Sequence, residues 1–322
     1  MKSRLMACMA FASAIIAFTA PATLWAKYPE KPIRLVVPFP AGGTTDVVAR
    51  QVARNMSTLL GQEVIVDNRG GAATIIGVDA VAKAPSDGYT ILLATATTFS
   101  VNPHLFKKMP YKIDEFVPIG FISEAPIVLV APFGASAKNL QELVRSLKDK
   151  ETPVATTGKG GFSHLTAAMF FNAIGAKFRD VPYRGEAPAL QDLLTGQVPL
   201  YFGSMPGTLP HVKSEKLRAY GVTSIERSPA APGIASFTEQ GLPEVVATSW
   251  FGLSAPKGTA PDIIATLAAA LNKAMDDKAL LERMATEGSV PRKFSPTEFA
   301  DYIKRDHERW GKIVRGAGVE VD

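Results

Sequence analysis

The sequence predicts an α/β protein in which each of two domains holds a mostly parallel sheet flanked by helices. Three observations support this fold class. Residues 31–95 alternate between strand-like and helix-like patterns in the order βαβαβ. The strand segments are continuous apolar runs, as parallel strands are when helices cover both faces of the sheet. The same alternation returns in residues 153–223, so a second α/β unit follows the first.

The first unit has clear boundaries. Its strands are predicted at residues 33–37, 64–67 and 89–94. Its helices are predicted at residues 45–60 and 74–84, because apolar residues recur there at helical spacing. Gly61 and Pro85 follow these helices, and both residue types are typical of helix ends.

Two apolar strands that each end in Ala-Pro indicate where the chain crosses between domains. They cover residues 127–132 and 251–256, and each leads through a glycine-containing loop into an amphipathic helix. We therefore predict a first domain at residues 27–126, a second at 127–250 and a return to the first at 251–322. A chance likeness between two common βα patterns is the alternative.

The region between the crossings repeats the α/β pattern. Strands are predicted at residues 154–157, 178–181, 198–202 and 217–222, and helices at 163–174 and 188–194. The last helix of the chain starts with the capping box Ser295-Pro296-Thr297-Glu298. Its apolar face, which includes Phe299, Ile303 and Trp310, is expected to pack back on the first domain.

Composition excludes several classes of protein. The chain has 322 residues and a net charge of +5, with its basic residues spread out and not interleaved with aromatic ones. This distribution favours solubility or attraction of small anions, and it argues against nucleic-acid binding. The length favours two domains over one.

Residues 1–26 resemble a signal peptide. Lys2 and Arg4 precede an apolar run over residues 5–20, and small residues favour cleavage near Ala26. A retained membrane anchor is the alternative, although the run is short for a membrane span. The single cysteine, Cys8, lies in this leader, so a cleaved protein would have no disulfide or thiolate site. We therefore expect an exported protein of the Gram-negative periplasm.

The loop between the first strand and first helix is the leading candidate site. It contains Pro38-Phe39-Pro40 and then Gly42 and Gly43, and Thr44 or Thr45 can cap the helix that follows. Backbone N–H groups at a helix N-terminus favour a small anion. A well-capped βα turn with no ligand is the alternative.

Two further loops extend this candidate site. Residues 156–164 join a strand to a helix and contain three glycines, several hydroxyls and His164, so they form a second possible anion site. They match neither a Walker A loop nor a dinucleotide fingerprint. Residues 95–100 are rich in hydroxyls and follow the third strand. One anion site in each domain predicts that a ligand with two acidic ends is held between them.

No catalytic or metal-binding constellation is predicted. The four histidines, His104, His164, His211 and His307, lack metal-ligand spacing. His164 has two open interpretations, a donor to a ligand carboxylate and a structural cap. Asp46 lies in the first turn of a predicted helix, where its charge suits the helix dipole. We expect no cofactor, no metal and no catalytic residue.

Motifs along almost the whole mature chain resemble the Bug or TctC-like receptors, the extracytoplasmic solute-binding proteins of tripartite tricarboxylate transport systems. The segments that carry the likeness are residues 28–34, 38–40 with Gly42, Gly43 and Asp46, 67–69, 84–90, 102–103, 181–185, 192–194 with 196–198, and 249–252. The resemblance implies a two-domain Venus flytrap of the periplasmic binding protein type. It also implies organic carboxylate ligands, membrane transporter subunits as partners, and a protein that we expect to be monomeric.

The resemblance implies a set of ligand-binding residues. They are Phe39, Ala41, Gly42, Gly43, Thr44, Thr45, Asp46, Thr95, Ala96, Thr97, Thr157, Gly158, Lys159, Gly160, Phe162, Ser163, His164, Tyr183, Arg184, Gly203 and Ser204. A periplasmic sensor module that signals to a membrane kinase would use the same residues, so that alternative stays open. An enzyme acting on a carboxylate would need a nucleophile or base that no recognisable motif supplies.

Departures from the family pattern bear on the ligand. Many relatives carry an Asp-Asn pair where this chain has Gly203-Ser204, and the loss of that acid argues against an amino-acid ligand. Phenylalanines near the expected cleft are Phe39, Phe99, Phe162 and Phe202. They favour an aromatic ring with one or two carboxylates, such as terephthalate, although they are also typical core residues.

Overall fold

The computed structural model describes residues 28–317. The strands β1 to β10 are Ile33–Val37, Val64–Asn68, Thr90–Thr95, Phe116–Pro132, Glu151–Thr156, Lys177–Pro182, Leu200–Ser204, Leu217–Val222, Thr248–Pro256 and Val290–Pro291. The helices α1 to α10 are Thr44–Leu60, Ile75–Ala82, Asn102–Leu105, Leu140–Leu147, Phe162–Ala173, Glu186–Leu194, Met205–Lys213, Pro261–Ala274, Lys278–Glu287 and Pro296–Ala317. The predicted signal peptide and its cleavage site lie outside the described residues. Within residues 28–317, no helix combines the length and apolarity needed to span a membrane.

The predicted α/β class is confirmed, with sheets that are mixed near their shared strands. The order of strands is β2-β1-β3-β9-β4-β7-β5-β6, while β10 and β8 also pair with β4. On one side β2, β1 and β3 are parallel. On the other side β6, β5 and β7 are parallel. Strand β9 is antiparallel to β3 and β4, and β4 is antiparallel to β7.

Strand β4 belongs to both sheets. Its first part, residues 116–126, pairs with β9, and the part from Ile127 onward pairs with β7 and β8. The change of partners falls at Pro126/Ile127, where the predicted boundary between residues 27–126 and 127–250 lies. The division into domains stays a prediction. The strand itself begins at Phe116, so the strand predicted at residues 127–132 is only its second part.

Helix α7 follows β7 directly and was not predicted. Pro206 lies in its first turn, where the missing proline N–H costs no hydrogen bond. Ser204 is the residue before the helix. This short connection brings the N-terminus of α7 to the carboxyl end of β7.

Helix α10 packs on β4 and on the π-helical turn Ala96–Val101 through a buried aromatic face. Phe299 and Trp310 are fully buried. The Trp310 ring also lies 4.7 Å from the ring of Phe162, measured between centroids. The last helix therefore supports a residue of the predicted second glycine loop.

Candidate functional site

A cavity of about 90 Å³ lies where the carboxyl ends of β1, β3, β5, β6 and β7 meet. One water molecule needs roughly 10–15 Å³ by a comparable measure, so the space suits a small organic ligand or several waters. The carboxyl ends of strands in α/β sheets are the usual ligand position. The predicted site residues that line it are Phe39, Ala41, Gly43, Thr44, Thr45, Thr95, Thr97, Thr157, Phe162, Ser163, Arg184 and Ser204.

Nine predicted site residues do not line this cavity. They are Gly42, Asp46, Ala96, Gly158, Lys159, Gly160, His164, Tyr183 and Gly203. Gly158, Lys159 and Tyr183 line a neighbouring groove that shares Phe39, Thr157 and Arg184 with the cavity. Their positions therefore suit an entrance to the cavity more than its interior.

Asp46 holds the first glycine loop together. Gly42 has a φ of +88°, a left-handed conformation that favours glycine. The Gly42 amide donates to Asp46 Oδ2 over 3.0 Å, and Arg50 Nε donates to the same oxygen over 3.0 Å. Burial opposes ionisation, but the hydrogen bonds from Arg50 and Gly42 outweigh it and lower the pKa of Asp46. The geometry gives Asp46 a role in shaping the loop.

The N-terminus of α1 binds an internal carboxylate. Thr44 Oγ1 donates to Glu186 Oε2 over 2.6 Å, and the Thr44 amide donates to the same oxygen over 3.3 Å. Glu186 Oε1 accepts from the Ser204 amide over 3.1 Å. Glu186 is the first residue of α6, so this contact joins elements of the two sheets. Burial raises the pKa of Glu186, and the bonds from Thr44 and Ser204 offset part of the rise.

Glu186 also lines the cavity, although it is not among the site residues predicted from the sequence. Its position in the first turn of a helix has an ordinary explanation, because an acid there complements the helix dipole. The partners that give it a different role lie 142 residues away at Thr44 and 18 residues away at Ser204. A sequence pattern does not contain that proximity.

The second glycine loop presents two hydroxyls to the cavity. The Thr157 amide donates to Ser163 Oγ over 2.8 Å, and the two side-chain oxygens lie 3.0 Å apart. His164 does not line the cavity, and its Nδ1 accepts a hydrogen bond from the Gly160 amide over 3.1 Å. Burial lowers the pKa of His164, against the opposing charge of Asp180. This geometry agrees with the structural-cap interpretation of His164.

The third loop forms the π-helical turn Ala96–Val101. Thr95 caps it: the Thr95 amide donates to Thr98 Oγ1 over 2.9 Å, and the Thr98 amide donates to Thr95 Oγ1 over 3.3 Å. Thr95 and Thr97 line the cavity, whereas Ala96 does not. The loop thus contributes Thr95 and Thr97 to the cavity wall.

Four α-helices start at the cavity. Lining residues include Thr44 at the start of α1, Phe162 in α5, Glu186 in α6, and Ser204 before α7. Each helix N-terminus carries a partial positive charge and free N–H groups. The charged side chains among the lining residues are Arg184 and Glu186. Backbone dipoles therefore direct partial positive charge at the cavity, and the Glu186 carboxylate already uses the amides of Thr44 and Ser204.

Aromatic rings form part of the wall. Phe39, Phe162 and Phe202 line the cavity. Phe99 does not, and its ring packs 5.1 Å from that of Phe116, so Phe99 is a core residue. Among residues 28–317, no cluster of three or more His, Cys, Asp or Glu side chains is placed to hold a metal ion.

Comparison with known proteins identifies the family. Residues 48–319 match the family described as tripartite tricarboxylate transporter family receptor. The chain is 38% identical over 298 residues to Protein BugT of Bordetella pertussis, which covers 91% of each protein. Its structure matches that of the periplasmic binding protein BugD with a TM-score of 0.87 at 36% identity, over 91% of this chain and 99% of BugD.

Two further structures in this comparison contain ligands. MatC from Rhodopseudomonas palustris, with bound malate, matches with a TM-score of 0.85 at 30% identity, over 89% of this chain and 100% of MatC. The R. palustris protein Rpa4515, with adipate, matches with a TM-score of 0.87 at 29% identity, over 91% of this chain and 99% of that one. The chain thus has the periplasmic binding protein fold and belongs to the tripartite tricarboxylate transporter receptor family.

Proposed function

We propose that the protein is a periplasmic receptor that captures an organic carboxylate in the cavity and delivers it to the membrane subunits of a tripartite transporter. The observation that carries this proposal is the convergence of four helix N-termini on one cavity. Related structures hold malate and adipate, which are both carboxylates. Export by the leader at residues 1–26 and a monomeric state are part of the proposal.

The ligand carboxylate docks at the second glycine loop. Ser163 and Thr157 offer hydroxyls there, and Arg184 lines the same cavity. The first turn of α5 starts at Phe162 and adds backbone N–H groups. Each charge-assisted hydrogen bond contributes about 1.5–3 kcal/mol. Micromolar binding needs roughly 8 kcal/mol, so a few such bonds with apolar burial suffice.

We also propose that the ligand contains an aromatic ring. The side chains of Phe39, Phe162 and Phe202 form an apolar part of the cavity wall. A flat aromatic ring packs well against such side chains. An aromatic carboxylate of the terephthalate type thus belongs in the ligand panel beside malate and adipate.

Closure of the cleft is the proposed mechanism. The regions 27–126 with 251–322, and 127–250, move as two lobes about β4 near Pro126 and about the start of β9. Thr44 and Glu186 approach each other from opposite lobes, so opening the cleft breaks their hydrogen bond. The ligand enters the open form and is enclosed on closure.

Calorimetry with the exported protein tests the proposal. We expect at least one of malate, adipate, benzoate and terephthalate to bind with micromolar affinity, and Ser163→Ala to weaken that binding roughly 10-fold or more. Ser214→Ala, at an exposed position outside the cavity, is the control. If none of these carboxylates binds, the proposal is refuted. If Ser163→Ala and the wild type bind the ligand with equal affinity, the ligand carboxylate does not bind at Ser163.

Uptake measurements separate transport from sensing. Deletion of the gene should abolish uptake of the bound ligand if the protein serves a transporter. If the deletion leaves uptake intact but abolishes the gene expression that the ligand induces, the protein has the sensor-kinase role instead. Recovery of the ligand unchanged after incubation with the protein is expected of a receptor, and conversion of the ligand would indicate an enzyme.

A further inference from the structure

The Glu186 carboxylate occupies a fitted position in the cavity wall. Its two oxygens accept hydrogen bonds from Thr44 and Ser204, and all of these donors are neutral. Gly207 leaves the room for it, since a Cβ on Gly207 would lie 2.6 Å from Glu186 Cδ and 2.6 Å from Oε1. The carboxylate is therefore held in one place by donors on two sides and by backbone on a third.

Among the residues that the structure describes, no basic side chain forms an ion pair with this carboxylate. Glu186 is half-buried, and a charge that is partly withdrawn from water without a partner of opposite sign is destabilising. Ser204 Oγ, which lines the same cavity, is buried and has no hydrogen-bond partner. On this wall, Glu186 thus lacks a counter-charge and Ser204 Oγ lacks a hydrogen-bond partner, and a ligand can supply both.

The positions left for a ligand carboxylate follow from this arrangement. Glu186 already uses the amides of Thr44 and Ser204, at the starts of α1 and α7. In the second glycine loop, Thr156 Oγ1 donates to Asp180 Oδ1 over 2.6 Å, whereas the hydrogen bonds of Thr157 and Ser163 join these two residues to each other and not to a carboxylate. A second ligand carboxylate at the Glu186 wall would face a like charge at short range, which disfavours ionisation of both.

We propose that Glu186 sets the ligand class of the cavity by selecting a carboxylate that carries a protonated amine at the end facing Glu186. This inference rests on the proposed carboxylate-binding function. The ligand carboxylate docks at Ser163 and the ammonium group binds Glu186 Oε1 or Oε2, with Ser204 Oγ as a further acceptor. The ammonium group supplies the missing cation, and a charge-assisted bond of this kind is about twice as strong as a neutral one.

Helix α6 supplies an acid at the wall where the end of β7 lacks one. Gly203-Ser204 lacks the acid that would meet an ammonium group, and this absence argued against amino-acid ligands. In the structure, Glu186 Oε1 lies 3.1 Å from the Ser204 amide. An acid is therefore present at this wall, supplied by α6 rather than by the end of β7.

Matched ligand pairs test the proposal. Terephthalate and 4-(aminomethyl)benzoate share a para-substituted ring, and adipate and 6-aminohexanoate share an aliphatic chain. Each pair differs at one end, which is a carboxylate or an ammonium group. For the wild-type protein we expect the amino compound of at least one pair to bind roughly 10-fold or more tightly than its partner, as one charge-assisted hydrogen bond predicts.

Variants assign the preference to Glu186. Glu186→Gln removes the charge, and the preference for the amino compound should fall to roughly 3-fold or less. Glu244→Gln makes the same chemical change at an exposed position outside the cavity and should leave the preference intact. Thermal unfolding of each variant confirms that it is folded, and the wild-type comparison holds independently of any variant.

The outcomes separate this inference from the proposed function. If carboxylates bind but the dicarboxylates equal or exceed the amino compounds, the role of Glu186 is refuted and the carboxylate receptor stands. The same conclusion follows if Glu186→Gln folds and retains the wild-type preference. If no compound of either pair binds and malate and benzoate also fail, both proposals are refuted.

Discussion

The indole Nε1 of Trp250 donates a hydrogen bond of 2.7 Å to Oδ2 of Asp306. Trp250 is 0% exposed and Asp306 is 6% exposed, so neither group reaches water when the bond is lost. Trp250 lies in β9 and Asp306 in α10. This bond therefore attaches the last helix to β9, which lies between β3 and β4 in the first sheet.

We expect Asp306→Ala to lower the free energy of unfolding by about 1–3 kcal/mol, because the buried indole N–H is left without an acceptor. Asp306→Asn retains an acceptor oxygen and should lose less. Asp301→Ala, at an exposed position of the same helix, is the control. Urea unfolding followed by tryptophan fluorescence measures the three variants. Equal losses for Asp306→Ala and Asp306→Asn would show that the hydrogen bond is not the source of the stability.

The sequence predicts the first βαβαβ unit well for a physical reason. Helix α1 and strand β1 are set by local signals, namely apolar periodicity and the prolines and glycines between them. The same local signals do not predict the first part of β4. Pro118, Gly120 and Pro126 disfavour a strand locally, and the pairing with β9 has irregular register there. Its pairing with other strands outweighs its local preference.

In the candidate site, too, local sequence patterns predict some residues and not others. The hydroxyls of Thr157 and Ser163 lie in a loop whose composition indicates an anion site, and the structure places both in the cavity. Glu186 joins them only through contacts with Thr44 and Ser204 that are distant in sequence. Local patterns predict helix N-termini, but they do not indicate which N-terminus an internal carboxylate already uses.

Thr44→Val tests the bond that joins the two sheets at the cavity. The Thr44 hydroxyl donates to Glu186 over 2.6 Å, and Val keeps the shape without the donor. We expect a loss of about 1.5–3 kcal/mol, the usual value for a hydrogen bond to a charged group. Thermal unfolding without ligand measures it. Thr58→Val, at an exposed position of the same helix, should be nearly neutral, and similar losses in both variants would contradict the prediction.

Gly207→Ala tests the fit of the Glu186 carboxylate. Ala in a helix is normally more favourable than Gly by up to about 1 kcal/mol. At Gly207 the added Cβ would lie 2.6 Å from Glu186 Cδ, so we expect the opposite sign and a loss of about 1–3 kcal/mol. Gly316→Ala in α10 meets no atom within 4 Å and is the control.

The double variant assigns the cause of that loss. Glu186→Ala removes the side chain that the Gly207 Cβ would displace. Adding Gly207→Ala to Glu186→Ala should therefore cost little or be favourable, and the double-mutant cycle should give a clear interaction energy. Additive losses would show that the strain at Gly207 has another origin.

The pH dependence of stability tests the burial of Glu186. Because burial raises the pKa of Glu186 in the folded protein, the folded state binds this proton more tightly than the unfolded chain, whose glutamate pKa is about 4.3. The stabilising contribution is then complete below the unfolded pKa and is lost as the pH rises through the folded pKa. Glu186→Gln cannot titrate at this position.

We therefore expect the melting temperature of the wild type, relative to that of Glu186→Gln, to fall as the pH rises from about 4 toward neutrality. Other groups near the cavity do not produce this trend. The pKa of Tyr201 is raised, first by burial and then by Glu186, so Tyr201 stays protonated. The pKa of Asp46 is lowered despite its burial, because Arg50 and Gly42 donate to it. The raised pKa of buried Asp306 affects both proteins alike. A difference that is constant with pH, or that grows as the pH rises, would show that the carboxylate ionises in the folded protein at least as easily as in the unfolded chain.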